Sequence, residues 1–226
     1  MRFFAISAGF SSKYPSAVKP IGTKGVMAAC PRCHRSVPVN IRASGLEASR
    51  GGEWPDILTS ASPFAVSERS VSLWNSSGFS GFNTIPIEVE CKGRGPLEKK
   101  QAPKYFQLLA DPWAIVPIPA GTILVRQWFG EQIQPIRGPL QMLEFGDVCI
   151  SCGWEPDNLE AVYAVAAIDF DISTWNGSDF FTWRSGLYCT ERVIRASLAA
   201  KLTNLRWVHT KDAGNTSAPS LTKLPV

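Results

Sequence analysis

Little in this chain supports the common catalytic devices. Its two histidines are His34 and His209, so a Ser/His/Asp or Cys/His machine has few candidate bases. No phosphate-binding Gly-rich loop, no Gly-x-Gly-x-x-Gly after a strand and no His-Glu-x-x-His is present. The nucleotide and metalloprotease sites that such motifs announce are therefore excluded. Long apolar runs are missing as well. The most apolar stretch, Trp113 to Val125, is broken by Pro117, Pro119 and Gly121, well short of the about 20 residues that a helical membrane span needs. The start of the chain has one early cation, a very short apolar run and no small-residue cleavage site. It reads as a strand over residues 2–7 and not as an export signal, and a cytoplasmic location is expected. Charge is also modest. Charged residues make up 19% of the chain and the net charge is +4, a mild excess that does not by itself establish nucleic-acid binding, which usually shows a clustered basic face. Six cysteines in 226 residues are too sparse for a disulfide scaffold.

Four of those cysteines form two short pairs. One is Cys30-Pro31-Arg32-Cys33; the other is Cys149-Ile150-Ser151-Cys152, followed by Gly153. A Cys-x-x-Cys turn sets two thiolates on one side of a tight loop, and two such turns complete a tetrahedral Zn²⁺ site. The spacing predicts one structural Zn²⁺ held by Cys30, Cys33, Cys149 and Cys152. Free thiols, disulfides or a lapsed site are the competing assignments. His34, where the second pair has Gly153, is expected to be exposed. Cys91 and Cys189 remain, the latter expected as a small buried apolar residue.

The 17 prolines and 18 glycines favour strands and loops over long helices. Residues 11–24 and 42–56 read as loops. Phe64-Ala65-Val66 reads as a strand, with Ser67 capping a helix that carries Val71 and Trp74 on one face. Gly78 ends that helix, Phe79 folds back on it, and Phe82 to Glu90 alternates as a strand. The pattern recurs near the end of the chain. Laid without gaps, Ser67-Glu68-Arg69 falls on Thr190-Glu191-Arg192, Val71 on Ile194, Phe79-Ser80 on Leu202-Thr203 and Phe82 on Leu205. Ser67 and Thr190 are read as helix caps, and Glu68 and Glu191 as partners of the helix dipole. Such internal similarity implies two diverged copies of one unit. Residues 161–170 are apolar, and their period does not decide between strand and helix.

Asp169, Asp171 and Asp179 lie near Trp175 and Trp183. Paired carboxylates with aromatics can serve glycoside chemistry, but nothing sets two of them at a working distance. Asp171, Trp175, Asp179 and Trp183 are better candidates for a protein interface, where aromatics anchor and charges steer.

Two widely spaced Cys-x-x-Cys motifs, the second with its trailing Gly153, precede an aromatic Asp/Phe segment. Cys189-Thr190-Glu191-Arg192-Val193-Ile194 then opens a helix. This arrangement resembles the double-CxxCG motif proteins, best known as a paralogous family in myxobacteria. The likeness covers roughly residues 26–40, 64–90 and 147–208, and the first motif departs from it at His34. Members are linked to polymorphic toxin systems as immunity proteins. The resemblance implies a bacterial immunity protein whose partner is a cognate toxin, blocked by steric occlusion and not by an enzymatic activity.

The expected fold is α+β, β-rich with a few short helices. Two diverged strand–helix–strand halves are joined by a zinc-ribbon-like site of four cysteines. One domain is expected over residues 1–210, from halves at about 26–90 and 147–208 with a β-rich middle section at 105–146; residues 211–226 are expected as a tail. The alternative function is a zinc ribbon that binds nucleic acid through Lys92, Arg94, Lys99, Lys100 and Lys104. Its affinity would fall steeply with salt.

Overall fold

A computed structural model describes residues 1–9, 11, 13–15, 17–58, 63–92, 96–117, 123–127, 149, 151–152, 162–183 and 186–210. Arg94, Gly153 and the expected tail lie outside the described residues. In chain order the first stretch holds β1 (Phe3–Ala8), β2 (Ala17–Ile21), β3 (Lys24–Ala29), β4 (Ser36–Arg42) and β5 (Gly45–Ser49), then β6 (Phe64–Ser67), α1 (Glu68–Ser76) and β7 (Phe82–Cys91). The remainder holds β8 (Tyr105–Ala110), β9 (Val116–Pro117), β10 (Ile123–Gln127), β11 (Val162–Ala167) and β12 (Phe170–Asp171), then β13 (Phe180–Trp183), β14 (Gly186–Thr190), α2 (Glu191–Ala199) and β15 (Leu205–His209). The fold is β-rich with two short helices, as the sequence predicts. Among the described residues no helix is long and apolar enough to cross a membrane.

Two of the expected loops contain strands. Within residues 11–24, β2 forms an edge of the five-stranded sheet β2-β5-β7-β8-β6. An edge tolerates Pro20, whose missing N–H would break an interior ladder. Within residues 42–56, β5 runs inside the same sheet, parallel to β7. Its Leu46 and Ala48 are 1% and 0% exposed. Gly45, Glu47 and Ser49 hide this strand from any composition rule, because only alternate positions need to be apolar. Within the undecided stretch at 161–170, residues 162–167 form β11 and Phe170 starts β12.

The repeat is visible in detail. Ser67 caps α1 by accepting from the Ser70 N–H at 3.3 Å. At the far end Gly78 takes φ 67°. There the Phe79 N–H donates to the Trp74 carbonyl at 3.1 Å and the Gly78 N–H to that of Asn75 at 3.0 Å. This is a left-handed helix stop with its reciprocal pair of hydrogen bonds. The end of α2 repeats it. Leu202 N–H donates to Ser197 and Lys201 N–H to Leu198, with Lys201 at φ 54°. Lys201 is the counterpart of Gly78 but carries a β-carbon in the left-handed region, at a cost of about 1 kcal/mol. Lys201→Gly is therefore expected to raise the melting temperature by about 2–4 °C. The same change at a right-handed position of α2 should lower it.

Extending the correspondence explains the sheets. In one, β8 lies between β6 and β7, antiparallel to both; in the four-stranded sheet, β1 lies between β14 and β15, antiparallel to both. Phe106 faces Val66, and Phe4 faces Cys189, the counterpart of Val66. β8 and β1 thus play the same part. Each opens its own half of the chain, and each is inserted into the sheet of the other half. The two units are interlocked by exchange of their first strands.

The helices meet on the pseudo-two-fold axis of this arrangement. Trp74 Nε1 donates to Ser197 Oγ at 3.1 Å across a separation of 123 residues. That is also the spacing of the repeat, so the two residues are counterparts. The central core gathers Phe4, Trp74, Phe180, Val193, Ile194 and Trp207 from both units. A second cluster stacks Phe3, Phe170, Phe181 and Tyr188 at ring centroid distances of 5.2–5.8 Å. β1, with Phe3 and Phe4 on opposite faces, feeds both clusters.

Candidate metal centre

The first cysteine turn sits at the tip of the β3–β4 hairpin. Cys30 N–H donates to the Arg35 carbonyl and His34 N–H to the Cys30 carbonyl, both at 2.9 Å. His34 turns the chain at φ 60° and is exposed, as expected. The left-handed conformation there is the one glycine adopts without strain.

The hairpin is held from the other half of the chain. Asn40 Nδ2 donates to the Ala110 carbonyl of β8 at 3.1 Å, and Ala43 N–H donates to Gln107 Oε1 at 3.1 Å. Gln107, 1% exposed, also donates from Nε2 to the Ile41 carbonyl. Thr182 Oγ1 of β13 reaches the Val39 carbonyl at 3.4 Å. The second turn lies between β10 and β11, which pair antiparallel.

These restraints bring the four predicted thiols together. Cys30 Sγ lies 3.8 Å from Cys149 Sγ, and Cys33 Sγ lies 3.8 Å from Cys152 Sγ. All four sulfurs are within 4.8 Å of one another. A tetrahedral ion with metal–sulfur bonds of about 2.3 Å needs sulfur–sulfur edges of about 3.8 Å. A disulfide needs its sulfurs at about 2.05 Å. The set is therefore shaped to hold one metal ion, with each turn supplying two ligands. Cys30 is buried and the other three are half-buried.

The thiols are also electrostatically unequal. The Arg35 backbone N–H pulls Cys33 down to about 7, whereas burial pushes Cys30 up. A metal must displace the Cys30 proton, so acid opposes binding. Beside the sulfurs lies a shallow cleft edged by Val37, Trp113, Ser151 and Trp183, with space for a single water-sized guest.

Two of the interface candidates are internal, and Asp171 and Trp175 stay partly exposed. Asp179 is 3% exposed and Trp183 is 2% exposed. Asp179 accepts from Thr190 Oγ1 at 2.7 Å and from the Ser80 N–H at 3.2 Å, with Arg192 Nε at 3.3 Å. Trp175 donates from Nε1 to the Ser178 carbonyl at 2.9 Å and packs edge-on against Phe3. Asp171 caps a 3-10 turn by accepting from the Ser173 N–H at 3.0 Å. Thr190 starts α2 without a side-chain capping bond; its hydroxyl donates to Asp179. Cys189 is fully buried, as expected.

The nucleic-acid candidates are largely engaged too. Lys92 pairs with Glu47 at 3.3 Å and Glu90 at 3.7 Å, and Lys104 pairs with Glu68 at 3.5 Å. Lys100 Nζ donates to the Gly52 carbonyl at 2.6 Å.

Asp56 and its correspondence with Asp179 are not apparent from the motifs of the sequence. Asp56 is the counterpart of Asp179 under the same 123-residue offset. It accepts from Ser67 Oγ at 2.7 Å within its own unit, and from Thr203 N–H at 2.8 Å and Thr203 Oγ1 at 3.0 Å in the other. Arg69 joins it at 2.8 Å, matching Arg192 at Asp179. Each carboxylate thus ties the cap of one helix to the chain just after the other helix. Carrying the ungapped comparison upstream from Ser67 and Thr190 would have found both.

No known family profile matches the chain, and no curated protein matches it.

Proposed function

We propose that this protein is a cytoplasmic bacterial immunity protein. It binds a cognate toxin and blocks it by occluding the toxin's active surface, and Cys30, Cys33, Cys149 and Cys152 hold a structural Zn²⁺. The observation that carries the reading is the convergence of four thiols from the two Cys-x-x-Cys turns, the motif on which the likeness to double-CxxCG immunity proteins rests. Four thiolates saturate a tetrahedral ion and leave no position for substrate or water. Such a metal braces a surface and does no chemistry. Tetrahedral sulfur coordination suits zinc among common biological ions, with iron as its main rival. A rigid surface suits an inhibitor, because less entropy is lost when it docks.

The test is co-expression with the toxic product of the adjoining gene. Growth should be restored, and the two proteins should purify together with about one zinc per copy of this chain. Continued growth arrest with no complex formed would overturn the proposal.

A further inference from the structure

The β3–β4 hairpin has one docked side and one open side. Its inner side is fixed by the buried Val37 and by the bonds to Ala110 and Thr182. On the outer side, Gly25, Met27 and Ala29 of β3 and Ser36 and Pro38 of β4 are all exposed. Met27 is 54% exposed and sits opposite Pro38. The strip is uncharged, with Ser36 as its one polar side chain, and exposed cations flank the hairpin at both ends. Lys24 and Arg42 face each other across the strands at the open end of the hairpin, at positions that alternate with those of the strip, and Arg32 stands at the knuckle end. Like charges directly opposite one another on a ladder are unfavourable. Among the described residues Lys24, Arg32 and Arg42 form no ion pair. The surrounding sequence offers none nearby, since every charged residue before Glu47 is a Lys or an Arg.

We infer that the outer face of this hairpin is the docking surface for the partner protein, and that the partner presents an acidic rim around an apolar patch. The inference rests on the proposed immunity function and adds the surface and the partner's chemistry. Met27 and Pro38 supply the contact that excludes water, while Lys24, Arg42 and Arg32 steer an anionic partner and are neutralised by it. The strip carries no aromatic side chain on which bases could stack, which favours a protein over a single-stranded nucleic acid. The metal centre at the hairpin tip holds this face at a fixed angle to the sheets.

The test measures binding of the adjoining gene's full-length product to immobilised protein at low and at physiological salt. Lys24→Glu with Arg42→Glu should slow association about tenfold or more at low salt. Met27→Asp should weaken the complex by about tenfold or more. Lys99→Glu, a charge reversal outside the hairpin, should change neither by more than about twofold. Zinc content and melting temperature must match the unmodified protein for each variant. Wild-type binding that these changes leave intact would overturn the inference while sparing the proposed function. A low-salt gel shift with mixed-sequence RNA or DNA, abolished by the charge reversal while the protein complex persists, would overturn it in favour of nucleic acid. No complex with the unmodified chain would overturn both.

Discussion

Cys149→Ser is expected to release the metal and to lower stability by on the order of 5 kcal/mol, a loss of roughly 10–20 °C in melting temperature. The size of the effect follows from where the ion would sit. Cys30 faces Cys149, and Cys33 faces Cys152, each at 3.8 Å. Two ligands belong to each unit, so removing one opens the junction and leaves three thiols without the charge that justified their proximity. Cys30, already burdened by burial, is then left as a protonated thiol with no ion to bind. Elemental analysis and thermal unfolding report the two consequences separately. Cys91→Ser is the matched control: Cys91 ends β7 away from the cluster, and the metal should stay at about one per chain. A metal-free wild-type protein with unchanged stability would refute the role of the site.

Asp56→Ala should cost about 3–5 kcal/mol in urea unfolding at neutral pH. The carboxylate is the common acceptor for Ser67 Oγ, Thr203 N–H, Thr203 Oγ1 and Arg69. Its side chain is 8% exposed, so water cannot readily replace it. Truncation leaves buried donors from both units without a partner, and such donors cost more than the bond itself contributes. Arg69→Ala is a useful contrast. Arg69 is 53% exposed, its pairing is screened by solvent, and its loss should fall within about 1 kcal/mol. If Asp56→Ala were as mild as Arg69→Ala, the carboxylate would not be joining the two units.

Much of this could be read from the chain, for reasons that differ from element to element. The helix at Ser67 to Gly78 was legible because a cap, an apolar period and a left-handed stop lie within a dozen residues. Its second copy was legible because the same marks recur, although Lys201 replaces the glycine. The convergence of the cysteines was legible because a tetrahedral ion needs four ligands and each turn offers two. What could not be read is pairing at a distance. Phe3-Phe4-Ala5-Ile6-Ser7-Ala8 looks like a buried strand, but nothing within it says that its neighbours are β14 and β15. β5 was hidden by small and charged residues on one face. Asp179 and Trp183 read as interface candidates alongside Asp171 and Trp175 because composition does not distinguish a surface cluster from a satisfied internal one. The backbone N–H groups and hydroxyls that hold Asp179 appear only once Ser80 and Thr190 have been brought beside it.

The exchanged first strands impose an order on the birth of the molecule. β1 leaves the ribosome early, but the strands on either side of it, β14 and β15, are encoded some two hundred residues later. At translation speeds of about 5–20 residues per second, it must wait roughly 10–40 s for its partners. During that interval Phe3 and Phe4 have no sheet to enter. The first helix can close on β8 as soon as that strand emerges, so the sheet of the half encoded first is completed before the sheet that β1 enters. A nascent chain stalled before β14 would therefore carry one finished unit and one sticky, unpaired strand, a natural substrate for chaperones.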